Sequence, residues 1–377
     1  MALINFLTRI HFADGVLEDA LRAEVDNLGM TRPLLVTDEG LIEIGLVERA
    51  EAALPESTTP VLFEQTPSNP TEAAVKRAAD LYKAEACDGL IGFGGGSPID
   101  LAKAVGLLVT HDGPLADYAA IEGGVARIKD RLPPLIAVPT TAGTGSEVGR
   151  GTVITLDDGR KLGLLSPCLI PKVAICDPTL TLDLPPLLTA ATGMDALTHC
   201  IETYIATAYN PPADGIAIDG LKRAAAHIER AVEKGQDLEA RREMMAAAMN
   251  GALAFQKGLG GVHAMSHGLG AQAEYRLHHG MLNAVLLPHM LAFNAPAVGH
   301  RYDDLKRALA LNPSSDLPDS IARLNERLGL PTRLAEMGVD QTAIERAAPM
   351  AEKDHTNGTN PRRADARDYR SLMQDAL

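Results

Sequence analysis

The periodicity of apolar residues changes once along this chain, and that single change limits its possible folds more than any other feature. From Gly15 to about Pro178, apolar runs of strand length alternate with amphipathic helical stretches; the strand candidates are residues 33–37, 61–64, 89–93, 135–139 and 173–176. Parallel strands need long crossovers and bury both faces, so this alternation predicts an α/β domain built on a parallel sheet. After Leu184-Pro185-Pro186, alanine-rich stretches carry apolar residues at three- and four-residue spacing, with no convincing strand among them. That spacing is helical. The pattern predicts an α/β domain over residues 1–184 and an all-helical domain over 185–377, the join punctuated by Asp177-Pro178 and the proline pair.

Bulk properties narrow the function. A net charge of −14 disfavours a nucleic-acid backbone or an anionic membrane as partner. Cys87, Cys168, Cys176 and Cys200 are dispersed without a CxxC pair, which argues against a disulfide scaffold or a thiolate metal site. The N-terminus lacks a basic stretch followed by an apolar one, and no window approaches the ~20 apolar residues that span a bilayer. The expected location is the cytoplasm.

Gly89-Leu90-Ile91-Gly92-Phe93-Gly94-Gly95-Gly96-Ser97-Pro98-Ile99-Asp100 reads as a strand, a glycine turn and a helix start. Ser97 suits the N-cap, Pro98 the first helical position and Asp100 the third, capping back. Gly94, Gly95 and Gly96 lack Cβ atoms, so a pyrophosphate can approach backbone N–H groups at a helix N-terminus. A tight turn that binds nothing has the same sequence. A second loop, Pro139-Thr140-Thr141-Ala142-Gly143-Thr144-Gly145-Ser146-Glu147, follows another strand and offers hydroxyls from Thr140, Thr141, Thr144 and Ser146 to a polar ligand. Asp38 directly follows the first strand candidate, where it could accept from a ribose hydroxyl and repel a 2′-phosphate, or simply be a solvated turn residue. In the common dinucleotide fingerprint the glycines precede the acid; here the acid comes first, so the connectivity must differ.

The helical half carries the metal chemistry. Within 189–205, Asp195 and His199 stand four residues apart and share a helix face, as do His263 and His267. His278-His279 follows, and six of the eleven histidines fall between 199 and 279. One carboxylate and three imidazoles suit a borderline divalent ion, Fe²⁺ or Zn²⁺, with a position left open for substrate.

These motifs resemble the iron-containing alcohol dehydrogenase family, whose fold is similar to that of glycerol dehydrogenase and dehydroquinate synthase. The resemblance spans nearly the whole chain. It rests on the glycine and threonine loops above, Asp177-Pro178, Gly193-Met194-Asp195-Ala196-Leu197-Thr198-His199, His263-Ala264-Met265-Ser266-His267, His279-Gly280-Met281-Leu282-Asn283-Ala284 and Thr359-Asn360-Pro361-Arg362. It implies metal ligation by Asp195, His199, His263 and His279, with His267 beside substrate and nicotinamide. It further implies NAD contacts from Asp38, Asn69, Gly95, Ser97, Thr140, Thr144 and Lys161, and at least a homodimer. Either histidine of the 278–279 doublet could be the last ligand; the following Gly-x-x-Asn-Ala favours His279.

The expected reaction moves a hydride between a small alcohol or aldehyde and NAD(H), the cation making the alcohol acidic as it lowers the pKa of water from 15.7 to about 7, and His267 handling the proton. Arg150, between two glycines after the threonine loop, could pair with an anionic substrate or be a solvated arginine on a strand. Two alternatives share the fold: a maleylacetate-reductase-like oxidoreductase, which works without the full metal set, and a dehydroquinate-synthase-like lyase, which wants basic residues around the metal. In sequence the nearest are Lys257 and Arg276.

Overall fold

The computed structural model describes residues 8–377; residues 1–7, part of the stretch read for a leader, lie outside it. In chain order the elements are β1 (Arg9–Phe12), α1 (Leu17–Asn27), β2 (Pro33–Val36), α2 (Glu39–Glu43), α3 (Leu46–Ala52), β3 (Val61–Phe63), α4 (Glu72–Ala84), β4 (Gly89–Gly94), α5 (Gly96–Leu108), β5 (Leu135–Pro139), β6 (Gly151–Thr155), β7 (Lys161–Leu165) and β8 (Val173–Cys176). The helices α6 (Pro186–Ile205), α7 (Pro211–Glu233), α8 (Leu238–Ala254), α9 (Gly261–Gly270), α10 (His279–Val298), α11 (Arg301–Ala308), α12 (Leu317–Arg327), α13 (Gln341–Lys353) and α14 (Ala366–Asp375) follow. Residues 8–141 with Gly145–Thr181 form one compact unit, and Leu182–Leu377 with Ala142–Thr144 form another.

In the first unit six strands run in the order β1-β8-β5-β4-β2-β3, and every neighbouring pair is parallel. Successive side chains on a strand point to opposite faces, so the sheet builds two cores. Leu34, Val36, Leu90 and Leu135 belong to one; Leu35, Ile91, Phe93, Ile136, Val138 and Ile175 belong to the other. Burial on both faces is why these strands read as unbroken apolar runs. From β2 the chain passes to β3 on one side and then to β4 on the other. Parallel sheets of this kind bind ligands beyond the carboxyl ends of the strands at such a reversal. Asp38 follows β2 there, and the glycine turn follows β4.

Two features differ from the sequence expectation. A further strand, β1, pairs with β8 ahead of the first strand candidate, and β6 and β7 form an antiparallel hairpin outside the main sheet. In the helical unit, no strand occurs among the described residues. Helix α6 is buried on nearly every side from Thr189 to Thr203, the mark of a helix at the centre of its domain. Contrary to the expectation that no segment would qualify, α10 is long and apolar enough to cross a membrane, yet 56% of that stretch is buried within the protein. It serves as a core helix, and its first turn comes very close to α6: a Cβ on Gly280 would stand 2.2 Å from the Ala191 carbonyl oxygen. Glycine at this position is what allows the approach.

Candidate active site

Three helices of one unit bring the metal-ligand candidates together. Asp195 and His199 project from one face of α6, His263 lies in the first turn of α9, and His279 is the first residue of α10. Asp195 Oδ1 stands 3.8 Å from His199 Nε2, 3.8 Å from His263 Nε2 and 3.6 Å from His279 Nε2. These separations suit ligands better than hydrogen-bond partners, since a tetrahedral cation with bonds of about 2.1 Å holds its ligands roughly 3.4 Å apart. Donor atoms of Asp195, His263 and His279 all lie within 4.8 Å of one another. The His199 ring stacks on His263, centroids 4.7 Å apart. Of the 278–279 doublet, it is His279 that reaches Asp195, while His278 is the residue before the helix.

The donor set fits a divalent cation on a second observation. Asn283, one turn along α10 from His279, donates from Nδ2 to Asp195 Oδ1 at 2.7 Å and lies 3.1 Å from His279 Nε2 and 3.3 Å from His263 Nε2. Asp195 Oδ1 and the Nε2 atoms of His263 and His279 therefore converge on one small region. Asn283 Oδ1 is meanwhile buried without a hydrogen-bond partner among the described residues. Burial pushes the His199 imidazole down to about 4, against the pull of Asp195, so the ring is a neutral, ligand-ready base.

Sequence reasoning missed the residues that orient the ligand candidates. Glu202, also on α6, is buried and accepts from the backbone N–H of Gly260 at 3.1 Å and Val262 at 2.7 Å, and its Oε2 lies 2.6 Å from His263 Nδ1. One carboxylate thus caps α9 and fixes the His263 ring with Nε2 facing the cluster. Burial opposes a charged His263, but the Glu202 hydrogen bond and charge outweigh it and hold the ring above its ordinary value. A signal existed: Asp195, His199 and Glu202 fall at helical positions 0, +4 and +7 of one stripe. Asp354 Oδ2 lies 2.9 Å from His267 Nδ1, with no spacing in the sequence to announce it. Burial raises the Asp354 carboxyl, but His267, His355 and Thr356 more than offset this and hold it well below the carboxylate range. Lys257, one of the two nearest basic residues in sequence, is committed to Asp214 and the Tyr204 carbonyl.

At the glycine turn the structure corrects the helix start. Gly95, not Ser97, is the N-cap of α5, and among the described residues no side-chain hydrogen bond caps this end. Ser97 and Pro98 fall inside the first turn, and Ser97 Oγ donates to the Ser68 carbonyl at 2.6 Å. An uncapped helix start leaves its N–H groups available to an anion. Gly94 has φ +145°, and a Cβ there would stand 2.7 Å from Pro98 Cγ, so both strain and space require glycine. Asp100 does not cap back: its carboxylate accepts from Ser146 Oγ at 2.5 Å and Val153 N–H at 2.9 Å. One turn on, Lys103 Nζ is buried and donates to Ser146, Gly149 and Gly151 carbonyls at 2.7–2.9 Å. Burial lowers this ammonium to about 8, with Asp100 opposing. Asp100 and Lys103 thus brace the loop carrying Ser146, and Asp100 faces inward to that loop.

The other cofactor candidates are placed as follows. Thr140 N–H donates to the Gly94 carbonyl at 3.0 Å, and Thr141 packs beside Gly95, tying the two loops together at adjacent strand ends. Thr144 groups with the helical unit. Lys161 Nζ donates to Asn69 Oδ1 at 2.9 Å. Asp38 caps α2 by accepting from Leu41 N–H, and burial raises its carboxyl. Gly96 opens α5. Arg150 is half-buried, and burial lowers its guanidinium.

A parallel nucleotide-type sheet in one unit and a helical unit that gathers one carboxylate with several imidazoles define a class of two-domain proteins with a candidate metal site. Residues 8–178 match the family described as "Iron-containing alcohol dehydrogenase", and residues 189–377 match "Fe-containing alcohol dehydrogenase family, C-terminal". The chain belongs to the iron-containing alcohol dehydrogenase family, and it is an oxidoreductase. It is 52% identical to 4-hydroxybutyrate dehydrogenase of Cupriavidus necator over 384 residues, covering 100% of both chains. It is 37% identical to NAD-dependent methanol dehydrogenase of Bacillus methanolicus, with 93% of each covered. Among solved structures, alcohol dehydrogenase from Oenococcus oeni superposes with a TM-score of 0.92 at 34% identity, covering 100% of both.

Proposed function

We propose that this alcohol dehydrogenase is NAD-linked and metal-dependent and that it interconverts a short ω-hydroxy carboxylate of the 4-hydroxybutyrate class with its aldehyde. The observation that carries the substrate is the full-length likeness to 4-hydroxybutyrate dehydrogenase. The reaction balances as R–CH₂OH + NAD⁺ → R–CHO + NADH + H⁺.

Asp195, His199, His263 and His279 would hold the divalent ion, Fe²⁺ with Zn²⁺ as the alternative, and when bound it supplies Lewis acidity toward the substrate hydroxyl. Glu202 keeps His263 in one tautomer, and Asn283 donates to Asp195 and holds its carboxylate in place. His267, one turn from His263, takes the hydroxyl proton at a ring nitrogen. The N–H groups of the Gly94–Gly96 turn would bind the pyrophosphate of NAD, and Asp38 the adenosine ribose. Thr140, Thr141, Thr144, Ser146, Asn69 and Lys161 are the proposed contacts along the rest of the dinucleotide, while Asp100 acts through Ser146. Arg150 is the proposed partner of the substrate carboxylate. The family resemblance supports a homo-oligomer, and we place the enzyme in the cytoplasm.

The test is a substrate panel with NAD⁺ and NADP⁺. We expect kcat/KM for 4-hydroxybutyrate to exceed that for 1-butanol by more than about tenfold, and Arg150→Ala to raise KM for the anion selectively. Equal kcat/KM for the two alcohols would remove the anionic substrate, and an equal effect of the substitution on both would remove Arg150.

A further inference from the structure

We infer that Asp354 is the positioning residue of His267: it fixes the tautomer and orientation of that ring, so that Nε2 presents a lone pair for the substrate proton. The inference rests on the assignment of His267 to proton handling. Asp354 follows α13 and caps the short turn His355–Thr359. Its two oxygens divide the work. Oδ1 accepts from Thr356 N–H at 2.8 Å and Thr356 Oγ1 at 2.7 Å, which locks the carboxylate to the turn. Oδ2 is left facing His267 Nδ1 at 2.9 Å, both side chains only about one-tenth exposed.

A carboxylate only accepts, so the proton of a neutral His267 must sit on Nδ1, and Nε2 must carry the lone pair. The ring plane is constrained as well. His267 lies nearly parallel to His279 (centroids 5.6 Å, 14°) and to His355 (6.0 Å, 20°). The hydrogen bond and the flanking rings together hold one orientation. This is the role an orienting carboxylate plays toward an acid–base histidine, and 87 residues separate the two partners in the chain.

Asp354→Asn separates this role from folding. The asparagine oxygen can still accept from Thr356, but its NH₂ would face His267 Nδ1 and favour the tautomer with the proton on Nε2. We expect kcat to fall roughly a hundredfold or more, with KM within about threefold and metal content per chain unchanged, and Asp354→Glu to recover at least about tenfold of that loss. A kcat for Asp354→Asn within about threefold of the parent overturns the inference. A double-mutant cycle supplies the second readout. In a His267→Ala background, adding Asp354→Asn should change kcat by less than about twofold, because its effect passes through the missing ring; a loss as large as in the parent overturns the inference. If His267→Ala itself keeps parental kcat, the premise falls and the inference with it. If His267→Ala is inactive while Asp354→Asn is not, only the inference falls. Should Asp354→Asn fail to fold, Asp354→Ser, which keeps a capping oxygen, is judged in both backgrounds by the same rule.

Discussion

Glu202 lies outside the proposed ligand set yet touches it at 2.6 Å, and its burial leaves its carboxylate no role in solvent. Removing partners of this type typically costs 10–100-fold in metal affinity. Glu202→Gln should therefore lose its metal to a competing chelator at about 10–100-fold lower chelator concentration; parental retention would show that the α9 cap is its whole role. Glu147 carries a second residue-scale consequence. Burial pushes its carboxyl from 4.5 up to about 7, only partly opposed by a hydrogen bond from its own backbone N–H and by Lys103. The folded state thus binds the proton more tightly than the unfolded chain. The stabilisation is complete below about pH 4.5 and is lost as pH rises through about 7, worth roughly 3 kcal/mol. Glu147→Gln, neutral at every pH, should gain stability relative to the parent between about pH 5 and about pH 8 in denaturant titrations; parallel pH profiles would contradict it. Of the residues around the candidate metal site, Asp195 and His199 are legible as one helix face because four-residue spacing on a helix is a spatial statement. Glu202 was legible on the same stripe and was passed over. Asp354 was not, because its partner is set by how α13 and α9 pack.

Among the elements, the α10 start shows how one missing side chain positions a ligand candidate. With Ala191 carbonyl oxygen 2.2 Å from where a Cβ would lie, Gly280→Ala must push the first turn of α10 off α6 and carry His279 away from Asp195. Metal content per chain should drop several-fold by elemental analysis while the helical signal in circular dichroism persists; full occupancy would contradict this placement. The cap of α5 was assigned to Ser97 because serine before proline is a strong local signal. The chain instead turns into the helix two residues earlier, where Gly94 alone can adopt φ +145°. The β6–β7 hairpin was overlooked although Asp158-Gly159 between alternating runs marks such a turn, and Gly159 indeed has φ +83°. Strand β1 is four residues long, at the sheet edge, and only partly buried, so its apolar signal is faint.

For the molecule as a whole, the fold class was legible because each unit imposes its own period: sheet strands buried on both faces in the first, helices packed around α6 in the second. The reversal between β2 and β4 was not, since strand order depends on which helix covers which face. Sequence separates the metal-ligand candidates by some eighty-five positions, and only the packing of α6, α9 and α10 shows that they meet. The central claim, that this meeting place is the metal centre of an NAD-linked dehydrogenase, is tested most directly by one measurement: NADH formation from 4-hydroxybutyrate by protein stripped with chelator and then reloaded with Fe²⁺ or Zn²⁺. The account predicts a loss of more than about a hundredfold on stripping and recovery on reloading; a rate indifferent to both would contradict it.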